Sequence, residues 1–353
     1  MTEKLPKNKL LRIKLLRRKL LANKSTNKSI NKSIPATKPV INPATKPVIN
    51  PATKPFINPA TKPFITPVIN NINNLNISKP IPKKVAFICG SNYKNTKYPL
   101  NGCLNDCKNI SDELITIGFN VTLLTDETQI KPNKNNIITT LTKLISTLNS
   151  DDIFFFHFSG HGTQSSAGKD FLEKDGLNEI MCTIEDNNNI GLIFDNDLNK
   201  ILQDGLRDKS NISMLFLFDC CHSCSMLDLK YTYNSINKRF TIEDINLDNR
   251  QTINTKNCVI SLTGCADPQT SLDVNTSKTS QVVYGGLFTF NFLQAFKLVK
   301  SSYISTFTEL IHIIILLVNK NEHKPQLSSN IDLLNINKTT PNYNIIPKQF
   351  YNI

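Results

Sequence analysis

Two short segments carry residues that could do covalent chemistry. Ser159-Gly160-His161-Gly162 follows the apolar run Ile153–Phe158, and Asp219-Cys220-Cys221-His222-Ser223-Cys224 follows the run Met214–Phe218. An imidazole beside a thiol can take its proton, and the thiolate is the attacking species of a cysteine hydrolase. Gly162 leaves its N–H unobstructed, and with the N–H of the nucleophile it could hold an oxyanion. Taken singly, a buried Cys is commonly just a small hydrophobe; the joint placement after two apolar runs is the informative fact. A metal site competes, since Cys220, Cys221, Cys224 and His222 are ligand types and Cys221-x-x-Cys224 has knuckle spacing. Structural zinc normally draws on two such knuckles, and the second is missing.

Both runs belong to an alternation of strands and helices. Strands are predicted at Val85–Cys89, Val121–Leu124, Ile153–Phe158, Met214–Phe218 and Cys258–Leu262. Helices are predicted at Asn105–Ile117, Asn135–Leu148, Asp197–Leu202, Leu287–Val299 and Thr306–Val318. This pattern specifies an α/β fold with a mostly parallel central sheet and helices on both faces. Active sites of such sheets gather at the carboxyl ends of the strands, where His161 and the cysteines stand.

Upstream, the composition changes. Residues 1–34 form a basic tail in which Leu10, Leu11, Ile13, Leu15, Leu16, Leu20 and Leu21 alternate with Lys and Arg. Such a tail suits an anionic membrane surface or an acidic partner, an organelle transit peptide, or a solvated cationic end. Residues 35–82 hold an octapeptide repeat, PATKPVIN from Pro35 and Pro43, PATKPFIN from Pro51 and PATKPFIT from Pro59. Proline at every fourth position prevents helix and sheet from propagating, so a disordered, extended spacer is expected, or else a ligand for a proline-reading domain. The folded domain is expected over 83–340, with a C-terminal tail at 341–353.

Charge follows the same division. Residues 1–84 carry 18 Lys/Arg and one acid, Glu3, a net +17, while the remainder carries 23 bases against 27 acids, a net −4. The basic character belongs to the tail, which argues against a nucleic-acid-binding domain. Nine cysteines, an odd number, point to free thiols in a reducing, intracellular compartment. No stretch of 18 uncharged apolar residues exists, and no apolar core of a secretory signal follows the basic start.

Five motifs in order carry a family resemblance: Asn101-Gly-Cys-Leu-Asn-Asp106, Phe156-His-Phe-Ser-Gly-His-Gly162, Phe218-Asp-Cys-Cys-His-Ser223, Gly264-Cys-Ala-Asp-Pro-Gln-Thr-Ser271 and Lys324-Pro-Gln-Leu-Ser328. Over about Lys83–Leu334 the chain resembles metacaspases, specifically the type I architecture with a Pro-rich N-terminal region. The resemblance implies a caspase-like fold, a cysteine endopeptidase, His161 as catalytic base and Cys221 as nucleophile. It selects Cys221 over Cys220 because the family's nucleophile immediately precedes His. It also makes Cys103, Asp106, Ser159 and Asp219 the lining of the S1 pocket. Taken alone, Asp106 reads as an exposed acid at a helix start. The QACxG-type motif of caspases proper is absent, and a buried carboxylate pair would accept Arg or Lys and reject Asp.

The resemblance further implies activation by calcium, with no cofactor for the chemistry itself. The aligned ligands are Asp175, Asp195, Asn196 and Asp228, with an amide at 196 where a second adjacent carboxylate is usual. Cys224 stands where Gly is usual. Between the nucleophile and the strand at Cys258, the segment Leu229–Lys256 is polar and reads as a surface loop. Its Lys230, Lys238 and Arg239 are expected sites of self-cleavage. The expected partners are peptides with a basic P1 residue, acted on by a monomer. The rival reading is an inactive caspase-fold scaffold acting through its N-terminal repeats.

Overall fold

Continuous apolar runs of five or six residues can be buried on both faces only if helices cover both sides of the sheet they form. A computed structural model describes residues 81–166, 176–221, 223, 225–234, 239–242, 253–264, 273–275, 284–300, 306–318 and 325–334. The expectations for the basic tail, the repeats and the C-terminal tail concern residues outside that set, apart from the last two of the spacer. The central strands are β1 (Lys84–Gly90), β2 (Asn120–Thr125), β3 (Ile153–Ser159), β7 (Ser213–Asp219) and β10 (Cys258–Thr263). They pair in parallel in the order β2-β1-β3-β7-β10. The sheet continues through antiparallel β13 (Gln326–Ser329), β8 (Tyr231–Asn234) and β9 (Arg239–Ile242).

Alternate residues of the same strands feed two cores. Ala86, Ile88, Phe155, Leu215, Leu217, Ile260 and Leu262 face α1 (Cys103–Thr116), α4 (Leu287–Lys300) and α5 (Phe307–Val318). Phe87, Phe154, Phe156, Met214, Phe216, Phe218 and Val259 face α2 (Lys134–Ser146) and α3 (Asp195–Leu206). Helix α2 starts where the Asn133 side chain accepts the Asn136 N–H. It ends under the Lys209 ammonium, which donates to the carbonyls of Ile145, Ser146 and Leu148 at 2.8–2.9 Å. The predicted helices and central strands are all present, most with ends shifted by a residue or two. The largest shift is in α3, which begins at Asp195 and runs to Leu206 because Leu206 buries with Leu198 and Leu202.

Strands beyond the five predicted also form. The segment after the nucleophile is not simply a surface loop: it supplies β8 and β9, with Tyr233 buried against Phe240 at 5.1 Å between ring centroids. One aromatic pair among polar residues is enough to seat a hairpin on an existing sheet edge, but too little to register as periodicity. A three-stranded antiparallel sheet of β4 (Gly162–Ser166), β5 (Leu177–Ile184) and β6 (Ile190–Phe194) also lies outside the main sheet. A two-stranded ladder of β11 (Asp273–Asn275) and β12 (Tyr284–Gly286) precedes α4.

A histidine is among the polar residues buried on the side of the first core. His157 on β3 is fully buried; its Nδ1 bonds the Leu217 carbonyl at 3.1 Å and its Nε2 has no hydrogen-bond partner. Burial pushes its pKa down from 6.5 to about 4. The folded state therefore holds neutral imidazole, so His157 favours folding above pH 6.5 and progressively opposes it as the pH falls towards 4. At about 1.4 kcal/mol per pKa unit this is about 3 kcal/mol over the window. Denaturant melts of wild type and His157→Leu at pH 7 and 4.5 check this; the wild type is expected to lose about 2–3 kcal/mol more than the variant. Equal losses would show that His157 does not carry the effect.

Candidate active site

Parallel pairing of β3 with β7 places Ser159 opposite Asp219, so both strands end level. The chain leaving β3 turns through Gly160, whose N–H reaches the Asp219 carbonyl at 3.3 Å, and reaches His161 and Gly162 at the head of β4. The chain leaving β7 gives Cys220 and Cys221. A Cβ on Gly162 would lie 2.0 Å from the Cys221 carbonyl oxygen, so only glycine permits this approach of the two turns. Cys220 is fully buried in the second core, whereas Cys221 is partly exposed. The structure thus brings His161, Gly162 and Cys221 together and leaves Cys220 facing inward. His222 and Cys224 lie outside the described residues.

His161 is held from three directions. Its Nε2 is 2.7 Å from the Tyr98 carbonyl, its backbone N–H donates to the Tyr93 hydroxyl at 3.0 Å, and its carbonyl accepts from the Cys182 N–H at 3.0 Å. The Tyr93 hydroxyl in turn donates to the Cys182 carbonyl, and its ring lies 4.7 Å from the imidazole. Tyr93 is buried, with φ +50°, and burial holds its phenol pKa well above 10, so it stays a neutral donor. Asp126 accepts the Asn92 N–H at 2.7 Å and so fixes the start of the loop that carries both tyrosines. Sequence reasoning missed Tyr93 and Tyr98. Tyr93 acts through one hydroxyl and Tyr98 through its backbone, and neither leaves a motif.

The four residues assigned to an S1 pocket are also neighbours. Asp106, in the first turn of α1, accepts from the Ser159 hydroxyl at 2.9 Å and from the Gly286 N–H at 2.9 and 3.0 Å. Asp219 accepts the Thr289 N–H at 2.9 Å, in the first turn of α4, where the free N–H groups and the helix dipole favour an anion. A Cβ on Gly286 would lie 2.0 Å from Asp219 Oδ2 and 2.9 Å from Asp106 Oδ2, so this glycine spans both carboxylates. The two acids are only 2% and 3% exposed, and Cys103 is buried one turn before Asp106. The reading of Asp106 as an exposed helix-start acid is thereby set aside. Gly286 and Thr289 were not found from sequence; the Gly285-Gly286 pair ahead of an apolar helix was the available signal.

A second acidic group lies close by. Glu179 on β5, Asp195 at the start of α3 and Asp228 bring ligand oxygens within 4.8 Å of one another. Asp195 is fully buried; burial, and then the neighbouring charge of Asp228, push its pKa up to about 9 against the Glu179 and Asn196 N–H groups that bond it. Three converging, mostly buried carboxylates make a hard-oxygen donor set that fits a divalent cation such as calcium. Asn196 stands beside the group, its Nδ2 bonded to Asn178 Oδ1. Asp175 lies outside the described residues, and the third described carboxylate is Glu179, which sequence reasoning did not choose. Glu179 also accepts from Gln164 on β4 at 2.9 Å, two residues beyond Gly162.

Comparisons with known proteins bear on the family and the fold. Residues 83–230 match the family described as "Metacaspase, peptidase C14 domain". The chain is 32% identical over 220 residues to Metacaspase-5 of Trypanosoma brucei brucei, covering 58% of this chain and 42% of that protein. It is 31% identical over 243 residues to Metacaspase-1 of Plasmodium falciparum, covering 66% and 38%. Metacaspase-2 of Trypanosoma brucei brucei is 31% identical over 214 residues, covering 58% and 60%. The chain thus spans about half the length of these relatives. A crystal structure of a Geobacter sulfurreducens protein superposes with a TM-score of 0.50 at 21% identity, covering 70% of this chain and 93% of that one. It supports the fold alone.

Tyr93→Phe removes one hydroxyl from under His161 and strands the Cys182 carbonyl. A loss of about 1–3 kcal/mol is expected, read as a lower denaturant midpoint. An unchanged midpoint would show that the hydroxyl does not hold this turn.

Proposed function

We propose that the chain, whose residues 83–230 match the metacaspase peptidase domain and which is 31–32% identical to metacaspases of Trypanosoma and Plasmodium, is a cysteine endopeptidase of that type cleaving after Arg or Lys. The observation that carries this is the meeting of Cys221 with the His161-Gly162 turn, beside the buried pair Asp106 and Asp219. A carbonyl oxygen can only accept, so the contact with Tyr98 fixes the proton on His161 Nε2 and leaves Nδ1 as the base. Nδ1 takes the Cys221 proton, and the thiolate adds to the scissile carbonyl. The N–H groups of Gly162 and Cys221 hold the oxyanion. The imidazolium then protonates the leaving amine, and water hydrolyses the thioester.

Asp106 and Asp219 supply negative charge to an S1 pocket that Cys103 and Ser159 complete. No cofactor takes part in bond making. Calcium held by Glu179, Asp195 and Asp228, with Asn196 or Asp175 completing the set, would supply the positive charge that keeps Asp195 ionised. Gln164 links that group to the strand bearing Gly162, which gives the cation a route to influence the site. Self-processing after Lys230, Lys238 or Arg239 fits the same specificity. Arg239 lies in β9, so the bond after it must first leave the hairpin. The enzyme acts as a monomer, its tail available to an anionic surface and its repeats to a proline-reading domain.

Purified protein with Arg-, Lys- and Asp-terminated reporter peptides, with and without calcium, tests the proposal. Arg and Lys reporters are expected to be cleaved and Asp reporters left intact; the reverse preference would sink the pocket assignment. Cys221→Ala is expected to abolish turnover while Cys220→Ala retains much of it, and the opposite pattern would overturn the nucleophile. Asp219→Asn is expected to cost on the order of 3–5 kcal/mol in kcat/KM for Arg peptides, the scale of breaking a buried charge pair. Asp228→Asn should raise the calcium concentration needed for half-maximal activity; an unchanged requirement would remove this cluster from the activation scheme.

A further inference from the structure

The acidic pocket raises the question of which bonds of the chain itself could enter it. Between Ile34 and Lys83 every basic residue is a lysine followed by proline: Lys38-Pro39, Lys46-Pro47, Lys54-Pro55, Lys62-Pro63 and Lys79-Pro80. Duplication of one octad accounts for four of these, but Lys79-Pro80 lies outside the octads. The basic residues from Lys4 to Lys32 show the opposite pattern, and none of them precedes a proline.

Beyond the spacer, the folded domain closes the remaining gap. The Lys83 N–H donates to Asp152 at 2.7 Å, and its carbonyl accepts the Ile153 N–H at 2.8 Å. Lys84 opens β1, and its buried ammonium reaches the Ile117 carbonyl at 3.0 Å. The carbonyl of the Lys83–Lys84 bond is therefore engaged in the sheet and withheld from an active site. From Ser33 to the end of β1 the chain offers no accessible basic residue followed by an ordinary amide.

We infer that the repeat spacer is proofed against the domain's own specificity, so that self-processing removes the cationic tail at or before Lys32–Ser33 and leaves the spacer attached. The inference rests on the basic-P1 reading above. In acylation the Cys221 sulfur bonds to the lysyl carbonyl carbon, and the C–N bond breaks as His161 gives the departing nitrogen the proton it took from the thiol. Water then replaces sulfur on the carbonyl carbon, losing a proton through His161 to the thiol. At a Lys-Pro bond the nitrogen carries ring Cδ where the hydrogen of an ordinary amide would be. The ring occupies the space from which the imidazolium must deliver its proton. Loss of positioned proton transfer costs about 10²–10⁴-fold in rate. The products differ sharply in charge: the tail through Lys32 carries 11 bases and one acid, so removing it takes the chain from +13 to +3.

Full-length wild type, Pro63→Ala and Cys221→Ala are incubated with calcium, and new N-termini are mapped by mass spectrometry. An Arg reporter is assayed in the same samples. Wild type is expected to yield N-termini at or before Ser33 and none from 34 to 84. Pro63→Ala is expected to add a cut after Lys62, and Cys221→Ala to show no cut. Pro63 lies outside residues 83–340, and equal Arg-reporter activity in wild type and Pro63→Ala shows that its replacement leaves the folded domain unaltered. Cutting of wild type at any Lys-Pro bond overturns the inference. So does a Pro63→Ala chain cut in its tail but intact after Lys62, or reporter hydrolysis with an uncut tail. Absence of reporter hydrolysis removes the basic-P1 reading and this inference with it.

Discussion

The register of one strand pair governs the molecule's chemistry. Because β3 and β7 run parallel with Ser159 opposite Asp219, two turns emerge side by side, one carrying His161 and Gly162 and the other Cys221. A slip of one residue would send every side chain of a strand to the opposite core. The alternating apolar residues on both faces forbid that slip: Phe154, Phe156 and Phe158 belong to one core and Phe155 to the other. Packing thus enforces the alignment of the two turns, and core residues Phe158 and Cys220 lie directly against their glycines.

The two acidic groups flanking the site are stabilised by different means. Asp106 and Asp219 are satisfied by a serine hydroxyl and by N–H groups at the entry to α4, which lets negative charge persist in a buried place. Asp195 has backbone donors too, yet burial and the nearby Asp228 charge still raise its pKa to about 9. The first pair is thus met by donors of the protein itself, whereas burial and mutual repulsion in the second are of the kind a bound cation would relieve. Gln164 ties the second group to β4, the strand that begins at Gly162.

Much of this was legible in the sequence, for reasons that also explain the gaps. Apolar runs of five or six residues ending in Ser-Gly-His-Gly or Asp-Cys-Cys announce strands and the turns after them. His161 and the Cys220-Cys221 pair are visible by type and position, whereas the choice of Cys221 and the pairing of Asp106 with Asp219 came only from the family resemblance. Glu179 was hidden because its partners lie 16 and 49 residues away and meet only through the β5–α3 packing. Gly286 was hidden because its role is the absence of a side chain. The β8–β9 hairpin was hidden because its stability comes from the edge of a sheet already built by other strands.

The contact between Tyr98 and His161 has an unusual genetic consequence. The group that orients the imidazole is a main-chain carbonyl, while the tyrosine ring that shares its number is largely exposed. Codon changes at position 98 would leave that oxygen in place, so a side-chain scan would score the position as tolerant. Insertion or deletion of a residue between Asn92 and Asn101 would move the oxygen and disorient the base. Evolution of this loop is therefore constrained in length far more than in spelling, and engineered loop grafts would displace His161 where point mutants would not.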